Sequence, residues 1–175
     1  VTVPAGALAS VVNFTPAVNV DNSILLLSSS SSGSISAYTT FFAGSLQNST
    51  QFNLSRYYAV GVDANVEYQV VEFLDNVSVQ RGTVTMGTSD TSKVVSIEHI
   101  QNLSRAFIYI THDRPTASTG RNNVVVANIT SDRTIQFDRT TSGYATQVSW
   151  FVVEFLDDGY DVFPVQYNFS VGDCV

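Results

Sequence analysis

Lysine is almost missing from this chain of 175 residues: Lys93 stands alone, and Glu occurs only four times, while Val, Ser and Thr dominate. With the straight-chain helix formers so scarce, the chain is expected to be almost entirely β. Cysteine occurs once, at Cys174, so no disulfide within the chain can tie the fold together. No apolar run approaches the roughly 20 residues that a membrane span needs. No signal peptide or initiator Met is present, so the N-terminus is expected to be a processed one or to lie inside a longer chain. Basic stripes are absent too. Eight Lys plus Arg against 15 Asp plus Glu leave a net charge of −7 from scattered Asp, which argues against nucleic acid or an anionic membrane as partner. There is no Gly-rich phosphate loop, no Cys-His pair and no Ser-His-Asp set that can be assembled, so neither an enzyme nor a cofactor is expected.

What is present is a repeat. Val70-Val71-Glu72-Phe73-Leu74-Asp75 returns 82 residues later as Val152-Val153-Glu154-Phe155-Leu156-Asp157. An aromatic residue, Tyr68 or Trp150, sits four positions before each glutamate. These β-branched and aromatic stretches, free of Pro and Gly, read as central strands buried on both faces. Upstream, an offset of 83 aligns Val1-Thr2-Val3 on Val84-Thr85-Met86, Ile24 to Leu27 on Phe107 to Ile110, and Arg56 on Arg139. The predicted architecture is two tandem antiparallel β-sandwich domains of immunoglobulin size, residues 1–83 and 84–175, each with about seven short strands between turns. Ser28 to Gly33 and the matching Thr111 to Thr116 read as exposed loops.

The copies diverge after the hexapeptide. Val77 and Val79 alternate with polar residues, then the apolar parity switches to Val84 and Met86 across Gly82, the pattern of a bulge or bend. One strand thus closes domain 1 and opens domain 2. In repeat 2, Phe163, Val165, Tyr167, Phe169 and Val171 alternate with polar residues, an extended strand over 162–172 that overruns its own domain. Domain 1 begins at Val1 with no such strand before it, so a groove beside Val1 and Val3 is expected to be under-filled.

Other candidates are weighed on their residue types. His99 beside Glu98 and His112 beside Asp113 lack a second ligand at a metal spacing and read as surface residues. Asp157-Asp158-Gly159-Tyr160-Asp161 reads as an Asp-Gly turn rather than a calcium loop. Glu72 and Glu154, with Arg56 and Arg139, read as structural pairs or as partners of backbone donors. Tyr57, Tyr58, Tyr144 and Tyr160 offer a sugar-stacking surface, although Tyr in strands more often packs at a rim.

Seven Asn-x-Ser/Thr sequons, more than twice what 12 Asn and 39 Ser plus Thr give by chance, point to an exported glycoprotein. Asn48, Asn53, Asn76, Asn102, Asn128 and Asn168 are the expected glycan sites; Asn13 precedes Thr15-Pro16, which disfavours it. The Val-Val-Glu-Phe-Leu-Asp block followed by Ser78-Val79-Gln80-Arg81-Gly82-Thr83-Val84-Thr85 resembles tandem β-sandwich repeats of secreted prokaryotic surface proteins. Together with the sequons, the scarce Lys and the spare terminal strand, the chain looks like subunits of archaeal and bacterial extracellular fibres assembled by donor-strand complementation. That resemblance implies a structural role at the cell surface or outside the cell, with other copies of the chain as partners. A sugar-binding adhesin module and a viral structural protein are the alternatives.

Overall fold

The computed structural model describes residues 1–31, 41–57, 63–113, 124–159 and 162. It is all-β, two tandem sandwiches built from four antiparallel three-stranded sheets. Sandwich 1 comprises β1 (Thr2–Val3), β2 (Ala9–Asn13), β3 (Ser23–Ser31), β4 (Ala43–Asn48), β5 (Gln51–Ser55) and β6 (Ala64–Glu72). Sheet A has the order β1-β6-β3 and sheet B the order β2-β5-β4. Sandwich 2 comprises β7 (Val77–Met86), β8 (Ser92–Ser96), β9 (Ala106–His112), β10 (Val126–Ser131), β11 (Thr134–Asp138) and β12 (Thr146–Phe155). Its sheet C is ordered β7-β12-β9 and its sheet D β10-β11-β8. Each sandwich therefore holds six strands among the described residues, one fewer than the turn spacing suggests.

The repeat extends to the hydrogen-bond register. Ala9 lies opposite Ser55 in β2 and β5, and Ser92 opposite Asp138 in β8 and β11. The register slips between Leu46 and Asn48 in β4 and, 83 positions on, between Ile129 and Ser131 in β10. Alternating residues fill each sandwich as the period of a strand requires: Leu25, Phe52, Leu54 and Val66 in the first, Met86, Ile135, Phe137 and Val148 in the second.

Ser28 to Ser31 belong to β3, and Thr111 with His112 to β9, so the expected loops begin later than their polar side chains suggest. Serine satisfies a ladder as well as valine does, because the bonds are made by the backbone. Ser28, Ser29 and Ser30 lie opposite Glu67, Val66 and Asn65 of β6.

The two copies of the hexapeptide strand have different surroundings. β12 is buried on both faces. Val148, Trp150 and Val152 enter the core of sandwich 2, while Phe151 and Val153 enter that of sandwich 1. In β6 only one face is buried, and Glu67, Gln69 and Glu72 are exposed, so the expectation of double burial fails for the first copy. The second face of sheet C closes the open side of sandwich 1 between β3 and β4. The Leu27 N–H donates to the Tyr109 hydroxyl at 3.2 Å and the Gly44 N–H to Thr111 Oγ1 at 2.9 Å. Two edge amides of sandwich 1 are thus capped by side chains of sandwich 2, which removes the cost of leaving them unpaired in a buried seam. Arg81 adds a third tie, donating to the Val20 carbonyl and pairing with Asp21 at 3.2 Å.

Gly82 marks neither a bulge nor a bend. β7 pairs with β12 without a register shift from Val77, opposite Phe155, to Met86, opposite Thr146. The parity switch records a change of neighbour: Val77 and Val79 face sandwich 1, Val84 and Met86 the core of sandwich 2. Gly82 is required because the indole of its partner Trp150 lies over it; a Cβ there would stand 2.6 Å from Trp150 Cζ2. The repeat boundary at 83/84 consequently falls inside one continuous strand, all of which is hydrogen-bonded into sheet C.

Position 151 and its repeat counterpart 69 separate these two roles. Phe151→Ala is expected to destabilise the protein by about 3–5 kcal/mol, as a cavity at a filled core position does. Gln69→Ala should change stability by less than about 0.5 kcal/mol. Urea unfolding of the two variants measures both.

Candidate assembly site

The site follows from comparing β6 with β12. Along β12, β7 supplies a partner at every position from Thr146 to Phe155. Along β6, β1 reaches only Ala64 and Asn65, and Val1 adds Val66 through reciprocal N–H to carbonyl bonds of 2.7 Å. In an antiparallel ladder alternate residues point their N–H and C=O groups to opposite sides. Tyr68, Val70 and Glu72 therefore direct theirs the same way as Val66, toward an edge that no strand occupies among the described residues. Such an edge is a template for strand addition.

Past Val1 a groove of about 540 Å³ lies over the β6 and β3 part of sheet A, lined by Val1, Leu26, Ser28, Glu67, Tyr68 and Gln69. The Tyr68 ring packs inward on Phe52 of the core, with centroids 4.7 Å apart. Of Val1 and Val3, Val1 is 47% exposed at the end of this groove, whereas Val3 is fully buried in the core opposite Ala64. Among the described residues, β6 has no partner on this edge from Tyr68 onward. Phe163, Val165, Tyr167, Phe169 and Val171 lie outside the described residues. The described chain ends near them at Val162, whose N–H donates to the Ser104 carbonyl at 2.8 Å.

The paired Glu and Arg residues serve the scaffold. Glu72 Oε1 accepts the Asn19 N–H at 3.0 Å and Glu154 Oε1 accepts the Asn102 N–H at 2.7 Å. Each of those asparagines caps a short 3-10 turn, Val20–Asn22 or Leu103–Arg105. Arg56 Nε and Nη2 donate to the carbonyls of Ala7 and Pro4, and Arg139 Nε and Nη2 to those of Asp90 and Gly87, the same positions 83 residues on. Both guanidiniums are buried, and desolvation lowers their pKa.

Among the sequons, Asn48, Asn76 and Asn128 are exposed, Asn76 in a left-handed turn with φ 54° between β6 and β7. Asn102 is half-buried, but its Oδ1 is the atom engaged, accepting from Ser104 N and Oγ, which leaves the nitrogen that carries a glycan outside that bond. Asn53 is half-buried in the central strand of sheet B, and Asn168 lies outside the described residues. Tyr57 is 41% exposed and Tyr144 half-buried, while Tyr58 and Tyr160 are outside the described residues.

His99 pairs with Asp132 at 3.3 Å on the surface. His112 is buried, contrary to the surface placement expected of it, because Phe41 stacks on its ring at a centroid distance of 5.5 Å. Asp157 accepts the Gly159 N–H at 3.4 Å in the Asp-Gly turn, and Asp158 pairs with Arg105 at 2.7 Å. No group of three metal-ligating side chains occurs among the described residues, nor does any helix there have the length and apolarity to cross a membrane.

The side chains that close the domain junction, Tyr109, Thr111 and Arg81, do not stand out in the sequence. Their one signal is that they break the repeat, Tyr109 and Thr111 standing where β3 has Leu26 and Ser28.

Asp113, beside this junction, is buried, and burial pushes its carboxyl up to about 6 despite the Gln147 N–H that donates to it at 2.7 Å. Between the ordinary carboxyl value of about 4 and that of the folded protein, the unfolded chain releases the proton while the folded chain keeps it. Stability from this group is therefore greatest below pH 4 and falls as the pH rises toward 6. Asp113→Asn keeps an acceptor for Gln147 and removes the charge. It should stabilise the protein at pH 7 by roughly 2 kcal/mol and leave it unchanged near pH 4, as read by thermal unfolding at the two pH values.

Comparison with protein-family models, curated proteins and solved structures gave no match.

Proposed function

We propose that this protein is a structural subunit of an extracellular filament, polymerising head-to-tail by β-strand complementation. The C-terminal segment Phe163 to Val171 of one copy enters beside β6 of the next. The observation that carries the reading is the difference between the two sandwiches. In sandwich 2 the stretch Val77 to Thr83 lies on β12 and is supplied by the chain running on from sandwich 1. The matching position on β6, past Val1, has no strand among the described residues.

The C-terminal segment has the composition for that place. It alternates Phe163, Val165, Tyr167, Phe169 and Val171 with polar residues, the pattern of a strand with one buried face. Its nine residues cover the six from Tyr68 to Phe73 with three to spare. Ladder bonds to Tyr68, Val70 and Glu72 and burial of the apolar side chains, at about 1.5–3 kcal/mol for each fully buried one, favour the joined state. The contact is heterologous, so it propagates instead of stopping at a dimer. The role is mechanical, with no reaction assigned. Glycans on exposed Asn48 and Asn76 would shield sheet surfaces and edges from proteases and from unwanted pairing.

Two measurements test this reading. Negative-stain electron microscopy of the full chain should show filaments, and removal of residues 163–175 should leave a folded monomer. Filaments that persist after the truncation would place the joint elsewhere, and a full chain that stays monomeric would favour a binding module. Native protein should exceed its bare 19.0 kDa by the mass of several glycans, and an intact mass equal to the polypeptide would remove the glycoprotein reading.

A further inference from the structure

We infer that the bodies of neighbouring copies also meet, in a contact that repeats the junction between the two sandwiches: sheet A of one copy covers the β9–β10 side of sandwich 2 of the copy before it. The inference rests on the polymer proposed above and names the second surface that such a polymer uses.

Within the chain, sandwich 1 presents its β3–β4 side and sheet C covers it. Carrying each partner to the equivalent position in the other repeat generates the contact between copies, and two of its three polar links have polar counterparts. The bond from the Gly44 N–H to the Thr111 hydroxyl becomes one from the Ala127 N–H to the Ser28 hydroxyl. Ser55 with Gln147, 3.3 Å apart, becomes Asp138 with Asn65, a carboxylate facing an amide donor. Leu27 against Tyr109 becomes Ile110 against Leu26, with an aliphatic group in place of the phenol.

Exposure supports the same pairing. Ala43 opens β4, which lies along β12 at the junction, and is 2% exposed; its counterpart Val126, which opens β10, is 53% exposed. Val124, ahead of it, is 46% exposed, whereas its counterpart Phe41 is half-buried and stacked on His112. Sandwich 2 thus carries an uncovered apolar strip where sandwich 1 is covered. On sheet A, the face equivalent to the covering face of sheet C carries Leu26 and Val71, both only half-buried. The two surfaces belong to different sandwiches of one chain, so a single heterologous contact covers both and recurs indefinitely.

Val126→Glu tests the contact, with Val94→Glu as control. Val94 is 57% exposed on β8, and its counterpart Val11 remains 61% exposed beside the existing junction, so Val94 should stay outside the contact. Both substitutions are at exposed positions, and unchanged melting temperatures verify that both variants fold. Val126→Glu would bury a carboxylate in the contact and should raise the concentration at which filaments form about tenfold or more, while Val94→Glu should polymerise like the parent. If Val126→Glu polymerises like the parent, or Val94→Glu is impaired equally, the body contact is wrong while strand complementation stands. A parent chain that forms no filaments removes both.

Discussion

Ten consecutive residue pairs hold β7 to β12, from Val77 opposite Phe155 to Met86 opposite Thr146, and the two-domain structure depends on that ladder. It fixes β12 in the middle of sheet C, so that its odd-numbered side chains are carried into the core of sandwich 1 and its even-numbered ones into that of sandwich 2. Because the pairing runs without a slip, β7 changes neighbour along its length while remaining regular. Gly82 is the point at which that is possible, since only a residue without a side chain leaves room for the Trp150 indole. The junction is a packed interior shared by two bodies, rather than a linker.

Copy 1 lacks that ladder over most of its length. β6 keeps valine at two of its inward positions and an aromatic residue between them, makes the same glutamate contact to a 3-10 turn and pairs with β3 as β12 does with β9, yet β1 is two residues long. Exposed Gln69 stands where Phe151 is buried, and Glu67 where Ser149 is buried. These polar substitutions keep an uncovered sheet face from becoming a nonspecific apolar patch, while the backbone edge above it retains its capacity to accept one strand. In the proposed filament, joining by an inserted strand and covering by the next body would repeat outside the chain what β7 and sheet C do within it.

Much of this was readable in the residues. The offset of 83 aligned strand with strand and even bulge with bulge, because the spacing of core positions and turns determines register in both copies. That Glu72 and Glu154 are structural followed from a charged residue recurring in an apolar strand, whereas the choice of a backbone donor over the arginine did not. Other features were hidden for physical reasons. An apolar run buried on both faces looks the same whether its second face meets another domain or awaits one, so the hexapeptide could not reveal that β6 is half-open. A parity switch beside glycine is written identically by a bulge and by a strand that changes neighbour. Ser28 to Ser31 resembled a loop because polar side chains conceal a backbone ladder, and burial of His112 depends on Phe41, 71 positions away in sequence.

The central claim is that the edge of β6 past Val1 is open in a single copy and filled in the assembly. Amide hydrogen exchange resolved by residue tests it most directly. In dispersed protein the Tyr68 and Val70 amides should exchange fast, while those of Trp150 and Val152, their counterparts under β7, stay protected; in filaments all four should be protected alike. Protection of Tyr68 and Val70 already in the single copy, or fast exchange that persists in filaments, would contradict the account.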